Sequence, residues 1–477
     1  MLCSGKGTTV LTLYRAQCLG CCWKQGMTIR WRSSVTLFRA EGSESEDVKP
    51  FADIPGPKGP PYFGTYFQYK LGGININKMP ETLKQWHKQY GGIVKETLLG
   101  HTIVHVFDPE AIRIIYANED KWPRIEPMAQ TTQMYREKSG MSPGLGNTND
   151  EEWYRLRSAV QQLMMRPKGV APLLPAVDPV ALEFVAHLKH LRDHSNQVPD
   201  FATELGRWSL ESSGKNCFDT RLGYLSGEGQ REAVDMVEAS HTVFDLTTQL
   251  GVSLPLHKYF STPKWNQLTK AEDVLYKTLQ KQLTAALERL REKMDSGKLG
   301  ENEFLFLRYL MSREELSVND VATLTLSLFT DGLPTTTPQL LFLLYLLASN
   351  PTVQDRAYHE VSSVAPHHPA PLTAQSVSNM TYIRACIKES VRMMSMVNEI
   401  SRITKKDMAL GGYHIPAGTP VHLNNPALYR HPDFFEQPDT FLPERWLRDW
   451  SGEKPNPFIL LPFGHGPRMC AGETAVL

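Results

Sequence analysis

Apolar positions along the chain change their spacing twice. Between residues 62 and 150, short alternations such as IVKETLLG and TIVHVFD are interleaved with helical periods, and the period of two predicts a small antiparallel sheet. From about residue 150 to 395 helical spacing dominates. EEWYRLRSAVQQLMM carries acids in its first turn and basic residues further along, as the helix dipole favours. Residues 264–294 and 318–349 read as long helices, the second strongly apolar. Its longest uninterrupted apolar run, Leu340 to Ala348, is nine residues, the length of a buried core helix and too short for a membrane span. From residue 400 onward strand and turn signals return, as in GGYHIPAGTPV. No internal repeat or long low-complexity segment interrupts this order. The pattern predicts a single large domain, mainly α with a minor antiparallel β part.

Composition adds an asymmetry. The 477 residues contain 51 basic and 51 acidic side chains, a balance that argues against a nucleic-acid binder. Residues 1–40, however, hold Lys6, Arg15, Lys24, Arg30, Arg32 and Arg39 and no acid. Without them the chain has 45 basic against 51 acidic residues, a net charge of −6. This hydroxyl-rich, acid-free segment has no apolar run long enough to cross a bilayer. It reads as a mitochondrial transit peptide rather than a secretory signal, the other reading being a basic tail without an address. Residues 41–61 follow as an acidic linker, EGSESEDVKP, and a Pro-rich lead-in, IPGPKGPP, whose prolines exclude helix. Four of seven cysteines, Cys3, Cys18, Cys21 and Cys22, fall in the first segment. Cys217, Cys386 and Cys470 are too few and too scattered for a disulfide framework.

The most informative stretch is FGHGPRMCAG at 463–472. Phe463, Gly466, Arg468, Cys470 and Gly472 match the cysteine loop of the cytochrome P-450 family at every fixed position, and the chain resembles that family. The chemistry accounts for the residue types. A thiolate on haem iron donates electron density that favours O–O cleavage, and hydrogen bonds to the sulfur tune it. Glycines let the backbone pass close to the haem face. The resemblance implies haem b with Cys470 as axial and metal ligand, Arg468 on a propionate, and Phe463 packed beside the thiolate.

Three further matches occur in the expected order. Glu389 and Arg392 in KESVR form an E-x-x-R pair, and Arg445 in FLPERW would complete a buried structural triad with them. Trp153 and Arg157 match the W-x-x-x-R of a helix that touches the propionates, and Arg402 sits where the family places another propionate ligand. The resemblance runs from IPGP to the end of the chain. It makes residues 62–477 the haem domain. The transit-like N-terminus, the lack of a recognisable membrane anchor, and stretches such as MSREELSVNDV point to the mitochondrial type. That type takes electrons from an adrenodoxin-like ferredoxin and its reductase, acts on the matrix side of the inner membrane with peripheral attachment, and oxidises lipophilic, sterol-like substrates. Arg384 and Lys388, one turn apart, fall at the positions of the basic patch where the ferredoxin docks. An ordinary solvated helix face is the alternative for that pair.

Three departures qualify the resemblance. The oxygen-activating segment reads DGLPTTTP at 331–338. Gly332, Thr335 and Thr336 are in place, but Pro334 holds the acidic position. Pro334 and Pro338 are expected to kink the helix and to free the carbonyls of Thr330 and Pro334. Asp331, four residues before Thr335 and so on the same helix face, or ordered water held by those carbonyls, is the candidate replacement for the acid, giving Thr335, Asp331 and Thr336 as the catalytic set. Beyond the E-x-x-R pair, Val397, Asn398 and Glu399 stand where prolines are usual and offer a polar wall or a solvated loop. Lastly, Leu477 lies seven residues after Cys470, where the family continues through a further helix and hairpin. The expectation is a haem domain lacking its C-terminal end, with Glu473 and Thr474 where basic residues are common. An oxygen-independent thiolate-haem isomerase and an inactive haem-binding remnant are the competing functional readings.

Overall fold

The computed structural model describes residues 48–366 and 372–473. The proposed transit peptide and most of the acidic linker lie outside the described residues, as does Thr474. The Pro-rich lead-in is helix-free from Ile54 to Gly59 and runs along the first strand, where the Lys95 N–H donates to the Pro55 carbonyl at 2.8 Å.

Among the described residues, six strands form two small sheets. The hairpin β1 (Ile93–Leu98) and β2 (His101–Val106) is antiparallel, as its alternation predicts. β3 (Ile400–Ile403) and β6 (Pro420–Leu423) also pair antiparallel, and β4 (Met408–Leu410) with β5 (Tyr413–Ile415) makes a separate hairpin. The first sheet has the order β1-β2-β6-β3, and its central β2–β6 pairing is parallel. The β part is therefore mixed and not purely antiparallel. A parallel pair needs a crossover connection, and here the helical body of the chain supplies it.

Long helices make up that body: α1 (Asp150–Met164), α2 (Leu174–Leu191), α3 (Phe201–Phe218), α4 (Gln230–Gly251), α5 (Pro263–Asp295), α6 (Val318–Thr330), α7 (Thr336–Ser349), α8 (Pro351–Val364) and α9 (Thr381–Met393). α5 shows why they form. Thr262 caps it by accepting the Trp265 N–H, Pro263 occupies the first turn, and the chain leaves through Gly297 at φ +64°. Its apolar positions Leu268, Ala271, Leu275, Leu279, Leu283, Leu287 and Leu290 recur every three to four residues and are all buried. They meet α1, α3, α4 and α6 in the largest core cluster. The helical stretch Pro167–Leu191 is long and apolar enough to cross a membrane. It packs through Val180 and Phe184 of α2 against Leu205 and Leu225.

The expected single helix over 318–349 is two. α6 starts with a capping box, Ser317 and Asp320 bonding each other's backbone N–H, and stops at Thr330. Pro334 has no N–H to offer the Thr330 carbonyl, which accepts instead from the Leu333 N–H at 3.0 Å. The Thr330 carbonyl is thus bonded and not free. The helix resumes only at Thr336.

Candidate active site

The loop 463–472 is built from turns that only glycine adopts easily. Gly464 and Gly466 have φ of +75° and +77°. A side chain at Gly466 would also meet Glu119 Oε2 at 3.0 Å. The Cys470 N–H donates to the Phe463 carbonyl at 2.7 Å, closing the loop, and the Gly472 N–H points at Cys470 Sγ from 3.4 Å. Phe463 contributes its carbonyl, and its ring is half-buried. Solvent reaches Cys470 from one side, while surrounding protein pushes its thiol upward. The Gly472 N–H and Arg157 draw it back down.

Cationic side chains converge around this loop. Trp153 and Arg157 are one turn apart on α1 and both are buried. Arg468 lies over the Trp153 ring, 4.7 Å from its centroid, and donates to Asn149 Oδ1 at 2.6 Å, the Pro123 carbonyl at 3.0 Å and the Thr148 carbonyl. Burial, then the nearby Arg402 and Arg157 charges, hold Arg468 down to about 9. Burial likewise brings Arg157 down to about 10, and its Nε is buried with no hydrogen-bond partner. Arg402, on β3, donates through Nε to Glu119, through another guanidinium nitrogen to its neighbour Ser401, and to the His465 carbonyl at 3.3 Å. Glu119 is itself raised by burial, and its second oxygen has no partner.

Opposite in sequence but close in space is the break between α6 and α7. The Thr335 hydroxyl donates to the Asp331 carbonyl at 2.7 Å, and the Thr337 hydroxyl reaches the Gly332 carbonyl at 3.3 Å. Asp331 is open to solvent yet ringed by protein. That burial raises it to about 6 against the opposing pull of Arg136 and the Ser327 hydroxyl. Its charge also acts against ionisation of Cys470, so the two groups face one region. Asp331 and Thr335 do not share a continuous helix face; the turn brings them together. Thr336 begins α7 and is partly exposed.

The triad is brought together. Arg392 donates to both Glu389 oxygens at 2.9 and 2.8 Å, Arg445 to Oε1 at 3.0 Å, and the Trp446 indole to Oε2 at 2.9 Å. Arg392 further donates to the carbonyls of Tyr429, Pro438 and Thr440, tying α9 to the chain that leads into the cysteine loop. Arg384 and Lys388 project from the exposed side of α9. Burial raises Glu473 against the opposing pull of Lys388, so an acid lies beside this pair.

A family model of cytochrome P-450 matches residues 54–474. The chain belongs to the cytochrome P-450 family. Its cofactor is accordingly haem b with an axial cysteine thiolate, and its enzyme class is monooxygenase. Among relatives, a probable cytochrome P-450 of Caenorhabditis elegans is 40% identical over 443 residues, 91% of this chain and 87% of its own. A probable cytochrome P-450 of Drosophila melanogaster is 30% identical over 464 residues, covering 94% and 79%. The mitochondrial 1,25-dihydroxyvitamin D(3) 24-hydroxylase of Mus musculus is 32% identical over 429 residues, covering 90% and 81%.

The residues present fit a haem. Arg402 and Arg157 crowd positive charge against Arg468, and the unpartnered Arg157 Nε needs an acceptor that a propionate would supply. Sequence reasoning missed Glu119, Arg136 and Ser327. Glu119 and Arg136 lie far from a recognised motif, and only the folded chain sets Glu119 on Arg402 and Arg136 toward Asp331, while Ser327 lies one turn before Asp331.

Proposed function

We propose that this cytochrome P-450 is a mitochondrial monooxygenase that hydroxylates a lipophilic, sterol-like substrate, with electrons from an adrenodoxin-like ferredoxin and its reductase. The observation that carries the reading is the loop that presents Cys470 beneath Arg157, Arg402 and Arg468, opposite Asp331. Cys470 is the iron ligand, with Phe463 beside it and the Gly472 N–H moderating the charge on sulfur. When bound, the haem supplies the oxygen activation and atom insertion.

The protein's own groups position and protonate. Trp153, Arg157, Arg402 and Arg468 would hold the propionates; Arg157 Nε has no partner of its own, whereas Arg402 is bonded to Glu119. Asp331, raised to about 6, would be the proton donor. The Thr335 hydroxyl, anchored on the Asp331 carbonyl, orients the proton path, and Thr336 lines it. Glu389, Arg392 and Arg445 keep the haem-side core in register. Arg384 and Lys388 present positive charge to the ferredoxin, and residues 1–40 direct import to the matrix side of the inner membrane, where the enzyme attaches peripherally. Support for the mitochondrial assignment comes from relatives named as mitochondrial and from the acid-free N-terminus.

The test is reconstitution of the haem-loaded chain with ferredoxin, reductase, NADPH and a sterol panel. Product formation that needs all three components is expected. Turnover of a lipid hydroperoxide without them would contradict the reading.

A further inference from the structure

The four-stranded sheet has two unlike faces. Val104, Val106, Val421 and Leu423 turn to a core cluster. Alternation therefore sends His105 and His422, register partners on the parallel β2–β6 pair, to the opposite side. Glu399, just before β3, reaches the same place. One donor atom from each of His105, Glu399 and His422 lies within 4.8 Å of the others.

The surroundings suit a cation. Glu96 holds His105 Nε2 at 3.1 Å, which fixes the ring and leaves Nδ1 as its donor. Glu126 approaches His422 Nε2 at 3.4 Å and also pairs with His101. Among the described residues no lysine or arginine pairs with Glu96, Glu126 or Glu399, so imidazoles are their only charged partners. His422 Nδ1 forms an ion pair with Glu399 Oε1 at 2.9 Å, the approach lying off the N–H line. Asn424 Oδ1 has no partner, while the amide nitrogen of the same side chain lies 3.3 Å from His105 Nδ1.

We propose that His105, His422 and Glu399 form a three-ligand binding site for a divalent transition metal of the zinc class. Two imidazoles and a carboxylate are a known ligand set for zinc, whose bonds of about 2.0–2.1 Å place tetrahedral donors about 3.4 Å apart. Side-chain rotation must therefore close the cluster by at most about 1.4 Å. Glu399 is 36% exposed and leaves the ion a path from solvent. The bound ion fastens the segment leading into β3 onto β2 and β6.

The experiment uses the haem-loaded chain, dialysed to equilibrium against zinc at neutral pH, with bound zinc measured by elemental analysis. One zinc per chain is expected. Glu399→Gln and His422→Asn should each weaken zinc binding about tenfold or more while leaving the carbon-monoxide spectrum unchanged. Copper(II) as a second probe should show two imidazole nitrogens by pulsed electron paramagnetic resonance. Absence of stoichiometric zinc, or zinc binding indifferent to Glu399→Gln, overturns the proposal and leaves an ion-pair network only. Glu399→Gln preserves shape and carries the test even if His422→Asn does not fold.

Discussion

The Thr335 hydroxyl donates to the Asp331 backbone carbonyl at 2.7 Å, across the turn that Pro334 forces between α6 and α7. Pro334 removes an acid from the expected place, and the same residue breaks the helix so that Asp331 stands beside Thr335. In the proposed mechanism the relay is thus rebuilt from three positions earlier in the chain. Asp331→Asn should lower product formed per NADPH consumed, on the order of 10²-fold for loss of a positioned acid, and raise peroxide leakage. Thr335→Ala should act in the same direction and Thr335→Ser should retain coupling. Unchanged coupling in Asp331→Asn would remove the aspartate from the account.

The raised value of Asp331 also fixes a pH dependence. As a donor it must be protonated, so coupled turnover should fall as pH rises through about 6, and Asp331→Asn should lack that limb. For stability the sign runs the same way. A carboxyl raised in the folded state favours folding where it is protonated and opposes it above about 6. Asp331→Asn should therefore be more stable than the parent above that pH, by about 1 kcal/mol once solvent access is discounted. Thermal unfolding at two pH values checks this.

Much of this site was legible in the sequence, for local reasons. The cysteine loop is contiguous, and Glu389 and Arg392 lie three apart on one helix, so spacing alone implies contact. Arg445 joined them because its motif follows in order. Other features needed the fold. The parallel pairing of His105 with His422 joins residues more than 300 positions apart, and no periodicity reveals it. The helix break at Asp331 was visible as prolines, but which carbonyl Leu333 would satisfy was not. Glu119 sits in an acidic stretch that reads as surface, yet it is buried against Arg402.

Arg157 separates a cofactor role from a structural one. Its Nε is buried and unpaired, so Arg157→Met should leave the haem-free chain as stable or more stable, by up to about 1 kcal/mol. The same change should weaken haem retention roughly tenfold, through loss of a charge-assisted bond to a propionate. Haem transfer to an acceptor protein and unfolding of the haem-free chain are the paired measurements. Loss of stability without faster haem loss would contradict the assignment.

Glu389 is the opposite case. Four donors from Arg392, Arg445 and Trp446 converge on its two buried oxygens. Glu389→Ala strands both guanidinium groups and should cost about 3–5 kcal/mol, read by denaturant unfolding with or without haem. A change below about 1 kcal/mol would show that the triad does not hold the core together.

Lys388→Glu and Arg384→Glu should slow reduction by ferredoxin and flatten its dependence on salt, with little effect on the thermal midpoint, because both side chains are exposed. Stopped-flow reduction at two ionic strengths measures it. Equal rates in variant and parent would place the docking surface elsewhere.

The central claim is that Cys470 supplies the thiolate to the haem iron. The most direct measurement is the absorption spectrum of the reduced, carbon-monoxide-bound chain, alongside Cys470→Ser and a Cys217→Ser/Cys386→Ser variant. The long-wavelength Soret band of thiolate-ligated haem should appear in the parent and in the double variant, and vanish in Cys470→Ser. A thiolate band that survives Cys470→Ser, or a parent that shows only the short-wavelength band, would contradict the account.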